Sequence, residues 1–326
     1  GFLPAIGRLI RYREPVTGVF GTHKNVRVDG GVNEGDEITR FYDPMVSKLI
    51  THGATRDEAI KHMRWALDEY YVRGIGNNIG FLAAVMMHPR FCSGELTTNF
   101  IAEEFGEHFV PEETIHEDFG MLAALAGAIH CRVLERDIQL TGRSMDNTVL
   151  PRGEFELDRD WVVVINGESH PVSVSPVNGE IEVRADGRNF VITTDWSTSQ
   201  ELLKGTVNGE DVCLQVDRNG GGYQLWHLGL RADVRILSPE AAELLSRMPP
   251  KKKADMTKKL LSPMPGLLVS VEVVEGQEVK ADEALAVVEA MKMENQLLAE
   301  RDGIVSVIHL DPGDSLDAGQ VILEFE

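Results

Sequence analysis

The side chain best placed for covalent chemistry is a lysine. Lys292 stands in Glu289-Ala290-Met291-Lys292-Met293-Glu294-Asn295, and a primary amine exposed at a turn can be acylated by another enzyme. The amide so formed removes the charge and turns the side chain into a tether. In an arbitrary sequence a Met-Lys-Met run is more often a surface cation between two gap-filling apolar side chains. Here its place between two similar half-modules decides for the modification site. Arg27, in Val26-Arg27-Val28-Asp29, is the second candidate, a permanent cation able to hold developing negative charge. On residues alone, a modest exposed ion pair with Asp29 is the favoured reading. Metal chemistry has no support: Cys92, Cys131 and Cys213 are far apart with no Cys-X-X-Cys spacing. His23, His52 and His62 share no ligand spacing on one helix and read as structural or solvated. Asp43 reads as an interface or turn residue, and Gly30-Gly31 is too short for a phosphate loop.

The elements that must hold Lys292 come from a duplication. Val269-Ser270-Val271 recurs as Val305-Ser306-Val307, an offset of 305 − 269 = 36, and Gly276 matches Gly313 at 313 − 276 = 37, with Pro312 as the extra residue. Val279, Ala281 and Leu285 match Leu316, Ala318 and Ile322 at the second offset. Two all-β halves follow, each too small to bury a core alone, so they pack together. The Lys292 segment then falls at a hairpin tip between them.

Upstream, Pro249-Pro250-Lys251-Lys252-Lys253 resists packing and reads as a linker. From Trp161 to Leu237 valine- and isoleucine-rich runs alternate with Asn166-Gly167, Asn178-Gly179, Asp186-Gly187, Asn208-Gly209 and Asn219-Gly220. These pairs suit tight antiparallel hairpins because both residues tolerate positive φ. A long helix from about Glu117 to Arg136 precedes this section. It is apolar on more than one face (Met121, Leu122, Leu125, Ala126, Ile129, Val133), which suits a barrel interior or a docking face. A polar joint, Pro111-Glu112-Glu113, separates it from a mixed front section. There Val26 and Val28 belong to a strand, Thr55 caps a helix reaching about Tyr71, and Asn77 to Met87 forms another helix closed by His88-Pro89.

Composition excludes two partner classes. A net charge of −20 argues against nucleic acid, and no apolar run approaches the roughly 20 residues of a membrane span. Sparse cysteines fit a reducing compartment. A chain opening Gly1-Phe2-Leu3-Pro4 reads as the continuation of a longer one.

Three segments carry resemblances. Ala290-Met291-Lys292-Met293 resembles the attachment signature of biotin carboxyl carrier domains, and Ser262-Pro263-Met264-Pro265-Gly266 resembles their entry segment. The resemblance implies covalent biotin on Lys292, with Ala290, Met291 and Met293 completing the cofactor-binding segment, and a biotin protein ligase as partner. Lipoyl domains share the duplicated fold but typically lack methionines on both sides of the lysine. Residues 1 to about 105 resemble the C-terminal part of biotin carboxylase domains, of the ATP-grasp family. The match rests on Phe2-Leu3-Pro4, Gly7-Arg8-Leu9, Val26-Arg27-Val28-Asp29, Phe41-Tyr42-Asp43-Pro44-Met45-Val46-Ser47-Lys48-Leu49-Ile50, Gly74-Ile75-Gly76-Asn77-Asn78 and Gly94-Glu95-Leu96-Thr97-Thr98. Arg27 falls where that family keeps a catalytic arginine near the biotin ring, which implies stabilisation of the biotin enolate. The parts of such a domain that bind ATP, magnesium and bicarbonate lie upstream, so this stretch is not expected to carboxylate biotin by itself. The middle section, with Trp226-His227-Leu228-Gly229 and Ser238-Pro239-Glu240-Ala241-Ala242, resembles the domain of propionyl-CoA carboxylase α subunits that docks on the carboxyltransferase β subunit.

The expectation is a multidomain α+β and all-β chain of the acyl-CoA carboxylase α-subunit family. Residues 1–108 form the C-terminal lobe of a biotin carboxylase, and 113–245 an antiparallel β-barrel with a long helix for subunit docking. Residues 246–258 form a Pro/Lys linker, and 259–326 a biotinyl/lipoyl-type flattened β-barrel. The resemblance implies a hetero-oligomer, with no metal site of its own in this stretch, that carries carboxybiotin to the β subunit for carboxylation of propionyl-CoA. 3-Methylcrotonyl-CoA as acceptor, or a lipoyl-type carrier without catalytic contribution, are the alternatives. The compartment is a bacterial cytoplasm or a mitochondrial matrix.

Overall fold

The computed structural model describes residues 5–16, 25–39, 45–106, 109, 118–141, 159–177, 179–248, 258–280, 283–290, 293–299 and 302–325. The front unit runs β1 (Gly7–Arg8), β2 (Arg11–Arg13), β3 (Val26–Gly30), β4 (Glu37–Ile38), β5 (Ser47–Thr51), α1 (Arg56–Glu69), β6 (Tyr71–Arg73), α2 (Ile79–Met87), α3 (Pro89–Ser93) and α4 (Phe100–Phe105). Three antiparallel ribbons, β1·β4, β2·β6 and β3·β5, surround a core of Leu9, Ile38, Tyr70 and Val72. Thr55 caps α1, its hydroxyl accepting from Glu58 N at 3.3 Å. The helix ends at Glu69, not Tyr71, because Tyr71 pairs with Arg13 in β6. Helix α2 starts at Ile79, two residues later than the pattern predicts: Asn77 instead uses its side chain to accept from Ile79 N at 3.2 Å.

The middle unit is α5 (Phe119–Thr141), then β7 (Arg159–Ile165), β8 (Glu168–Val177), β9 (Glu180–Ala185), β10 (Arg188–Thr194), β11 (Leu202–Val207), β12 (Glu210–Asn219), β13 (Gly222–His227) and β14 (Leu230–Leu237), followed by α6 (Pro239–Ser246). Consecutive strands pair antiparallel, and β14 pairs with β7 to close an eight-stranded barrel. Inward residues alternate with outward ones, as in Ala232, Val234 and Ile236 of β14. Asn166, Asp186 and Asn208 have φ of 50°, 48° and 52°, each followed by a positive-φ glycine, the geometry of primed hairpin turns. Asn178 and Pro111-Glu112-Glu113 lie outside the described residues. The apolar helix α5 takes the first of its two options, the barrel interior: Ala123, Ala124, Leu125, Ala126, Ala128 and Ile129 are fully buried. An eight-stranded barrel leaves little room inside, which explains the small residues. A Cβ on Gly127 would lie 3.1 Å from Val174 Cγ2.

The last unit holds β15 (Lys259–Leu261), β16 (Gly266–Val271), β17 (Glu278–Val279), β18 (Ala284–Ala290), β19 (Met293–Leu298), β20 (Gly303–Ile308), β21 (Ser315–Leu316) and β22 (Val321–Phe325). They make two four-stranded sheets, β15-β22-β20-β17 and β19-β18-β16-β21. Exchanging β15 with β19, β16 with β20, β17 with β21 and β18 with β22 converts one sheet into the other. Each half therefore contributes two strands to each sheet, and the halves share both cores: Val279 and Leu285 pack with Val305 and Leu323, and Leu316 and Ile322 with Leu268 and Ala286.

The structure corrects the repeat offset. Gly266 and Gly303 open equivalent strands, and Leu268 and Val305 are the equivalent buried residues, so the offset is 303 − 266 = 37 throughout. The two Val-Ser-Val triplets are out of step by one, and Pro312 is not an insertion. Burial and pairing set the equivalence, and they place exposed Val269 opposite Ser306. Residues 249–257, most of the expected linker, lie outside the described residues.

Candidate functional site

The carrier segment is built by strands β18 and β19. Leu285, Ala286, Val288 and Ala290 are buried along β18, which fixes its face. The register runs Val288↔Asn295, Glu289↔Glu294, Ala290↔Met293. Chain entry at Ala290 and chain exit at Met293 are thus direct partners, and the two residues between them in sequence are Met291 and Lys292. Both lie outside the described residues, as does the side chain of Met293. Ala290 is 5% exposed, its methyl group packed into the module.

The entry segment braces this hairpin. Ser262 is buried; its N–H donates to Gln320 O at 2.8 Å and its hydroxyl to Met264 O at 2.6 Å. Met264 is buried too, with Sδ 3.9 Å from Asn295 Nδ2. A Cβ on Gly266 would lie 2.5 Å from Glu289 O, so only glycine lets β16 approach the strand that leads to the tip. The described strands thus leave Met291 and Lys292 to join Ala290 to Met293 in sequence, and a lysine amine is the group that an amide-linked cofactor requires.

Arg27 and Asp29 share a face of β3 because strand residues two apart do so. Arg27 Nε lies 3.1 Å from Asp29 Oδ1, and Nη2 donates to Asp29 Oδ2 at 3.3 Å. The pair is open to solvent, with side-chain exposures of 69% and 53%, so the guanidinium is reachable. The ion pair read from the residues alone is present, and it leaves a face of Arg27 available. His62 Nδ1 sits 2.7 Å from His52 O; His23 and Asp43 lie outside the described residues. Cys131 and Cys213 are buried and Cys92 half-buried. Burial first, then the neighbouring Asp68 and Glu69, push the Cys213 thiol up.

Sequence reasoning missed a cluster at the end of α1. Asp68 and Glu69 are buried, and the last turn of α1 carries no basic residue. Acids at the negative end of a helix are unfavourable without outside partners, and that mismatch was the available signal. The partners come from the barrel: Leu228 N donates to Asp68 Oδ1 at 2.8 Å, and Lys204 Nζ donates to Glu69 Oε1 at 2.6 Å.

The comparisons with known proteins agree with this architecture. Residues 1–103 match the biotin carboxylase C-terminal domain, 122–251 the propionyl-coenzyme A carboxylase BT domain, and 258–325 the biotin-requiring enzyme domain. The chain belongs to the biotin-dependent carboxylases. Within that class it corresponds to the C-terminal portion of propionyl-CoA carboxylase α chains. It is 42% identical over 342 aligned residues to the propionyl-CoA carboxylase alpha chain of Ruegeria pomeroyi, covering 100% of this chain and 49% of that one. The mitochondrial propionyl-CoA carboxylase alpha chain of Mus musculus is 34% identical over 328 residues, with 99% of this chain and 44% of that one covered. The mitochondrial methylcrotonoyl-CoA carboxylase subunit alpha of Dictyostelium discoideum is 28% identical over 316 residues, with 93% and 43% covered. The chain thus spans about half the length of these relatives, or less. Among the described residues no helix is long and apolar enough to cross a membrane.

Proposed function

We propose that this chain is the carrier and docking portion of a propionyl-CoA carboxylase α subunit. In this reading residues 1–108 complete a biotin carboxylase domain, 113–245 dock on a carboxyltransferase β subunit, 246–258 are the linker, and 259–326 are the carrier. A biotin protein ligase joins biotin to Lys292 Nζ, with Ala290, Met291 and Met293 forming the segment it reads. When bound, biotin supplies a ureido nitrogen that takes up and releases a carboxyl group.

The chain's own residues do the rest. The amide at Lys292 removes a cation and leaves a flexible stem. The β18–β19 hairpin holds the attachment point, and the linker raises the effective concentration of the carrier at two active sites. Arg27 offers fixed positive charge to an anionic reacting group, where a preformed cation lowers the barrier most. ATP, magnesium and bicarbonate bind the remainder of the carboxylase domain, and the β subunit of the hetero-oligomer converts propionyl-CoA to methylmalonyl-CoA. A bacterial cytoplasm or mitochondrial matrix fits the bacterial and mitochondrial relatives.

The observation that carries the reading is the Ala290–Met293 pairing in a two-fold-related β-module, with Met291-Lys292 between the partners. Intact mass after co-expression with biotin ligase tests it, because biotin and lipoate add different masses. Acceptor choice rests on the propionyl-CoA carboxylase relatives being 42% and 34% identical against 28% for the methylcrotonoyl-CoA one. Turnover of the two CoA esters by the full-length subunit assembled with its β partner tests that choice; faster turnover of 3-methylcrotonyl-CoA overturns it.

A further inference from the structure

We propose that the end of α1, strand β6 and the β13–β14 hairpin form a permanent joint that clamps the barrel to the carboxylase lobe in one orientation. The joint itself stands on geometry alone.

Four kinds of contact converge there. The first is charge. Besides accepting from Lys204, Glu69 takes the Trp65 indole N–H on Oε1 at 2.7 Å and the Val16 amide on Oε2 at 3.1 Å. The second is capping of a helix end, whose last carbonyls lack partners within the helix. Gln215 of the barrel, itself buried, donates from Nε2 to Asp68 O at 2.9 Å and Tyr70 O at 3.1 Å.

The third is an arginine held on all sides. Arg73 Nε lies 2.7 Å from Asp217 Oδ2, and Nη2 donates to Gln215 Oε1 at 2.9 Å. Its guanidinium sits 3.6 Å from the Trp226 ring centre and 4.2 Å from that of Tyr71, whose hydroxyl donates to Asp217 Oδ1 at 2.5 Å. Planar stacking and forked hydrogen bonds together fix an arginine far better than a point charge can.

The fourth is backbone against backbone. A Cβ on Gly229 would lie 2.7 Å from Ala83 Cβ and 2.9 Å from Gly80 Cα, and a Cβ on Gly80 would lie 2.8 Å from Gly229 O. The tip residue Leu228 has φ of 50°, a conformation unfavourable for leucine, and its amide is the one held by Asp68. Just beyond, Leu230 is buried in the lobe's own cluster with Ala84, Val85, Phe100 and Phe105. A surface that undocked would not place a barrel leucine in the lobe's core or keep a bulky residue in a left-handed turn.

Hydrogen exchange on the full-length subunit tests this. The Leu228 amide is expected to exchange at least a hundredfold more slowly than the amides of the Asp186-Gly187 tip. Arg73→Ala is expected to speed exchange at Leu228 and along β11–β12 by tenfold or more, with β8 and β9 unchanged. Lys204→Met, at a partly exposed position, should reproduce the effect more weakly if Arg73→Ala does not fold. Exchange at Leu228 as fast as at the Asp186-Gly187 tip overturns the joint, and so do changes confined to Tyr71–Gly74. Neither result depends on biotin or on the acyl-CoA.

Discussion

Gly276 donates its amide to Val305 O, and Gly313, 37 residues later (313 − 276 = 37), donates its own to Leu268 O, both at 2.7 Å. Val305 and Leu268 are themselves equivalent, since 305 − 268 = 37. Each half of the carrier therefore closes its turn on a strand of the other half. The companion bonds follow the same exchange: Leu268 N to Asp314 O and Val305 N to Gln277 O, both 2.9 Å. Neither half can satisfy these groups alone, which makes the module one cooperative unit.

Two glycines of this module separate conformational from steric cost. Gly276 has φ of 83° with open space around it, so Gly276→Ala should cost about 1 kcal/mol through backbone strain alone. Gly266 faces Glu289 O, and Gly266→Ala should cost more, toward the top of the ~1–3 kcal/mol typical of overpacking. Denaturant-dependent hydrogen exchange of β16–β22 measures both; equal costs would contradict the steric account of Gly266.

Lys292→Arg keeps the positive charge and removes the acylable amine. Intact mass should show no biotin on this variant. A streptavidin signal persisting on this variant moves the attachment site elsewhere.

Arg27→Ala in the full-length subunit should lower biotin-dependent ATP cleavage by about 10²-fold or more, the loss typical of removing one charge-stabilising group. Arg27→Lys should restore part of it. Activity unchanged in both variants assigns Arg27 to its pair with Asp29 and nothing more.

Inside the barrel, Gly127→Ala gains about 1 kcal/mol of helix propensity against a contact of 3.1 Å with Val174 Cγ2, and should be near neutral. Gly127→Val adds branched volume at the same contact and should destabilise by about 1–3 kcal/mol. Thermal unfolding followed by Trp161 and Trp196 fluorescence distinguishes them. A neutral Gly127→Val means the barrel has slack beside α5.

The Arg188 guanidinium beside Asp118 holds that carboxyl below its ordinary value of 3.8. A depressed folded pKa stabilises the fold above the unfolded value and is lost as pH falls through the folded value. The contribution of this pair should therefore be complete at neutral pH and fade only below about pH 4. Because both side chains are substantially exposed, solvent screening keeps it small. Asp118→Asn should flatten that acid limb of the unfolding curve; an unchanged limb removes the pair from the acid response.

How much was readable in advance follows from the range of the causes. The Thr55 cap, the Asn-Gly and Asp-Gly turns and the alternation along the barrel strands are local, so they stood in the sequence. The duplication around the Lys292 segment was legible because both repeats are written in the chain; Lys292 itself lies outside the described residues. The repeat offset differs by one residue from the match of identical letters because burial, a property of the packed module, sets which positions are equivalent. The end of α1 was misplaced by two residues because the pairing of Tyr71 with Arg13 joins positions 58 apart (71 − 13 = 58).

The sequence alone determined the long helix, the hairpin turns of the middle section and the duplication of the last module. Tertiary structure alone decided that α5 fills a barrel rather than a docking face. It also decided which residues of the two halves are equivalent, that Asp68 meets Gln215 and Leu228, that Glu69 meets Lys204, and that Arg73 meets Gln215 and Asp217. Those outcomes depend on desolvated contacts between distant segments. Local sequence shows only that two acids close α1 without a basic neighbour; which groups bury and pair them is settled by the packing of distant segments.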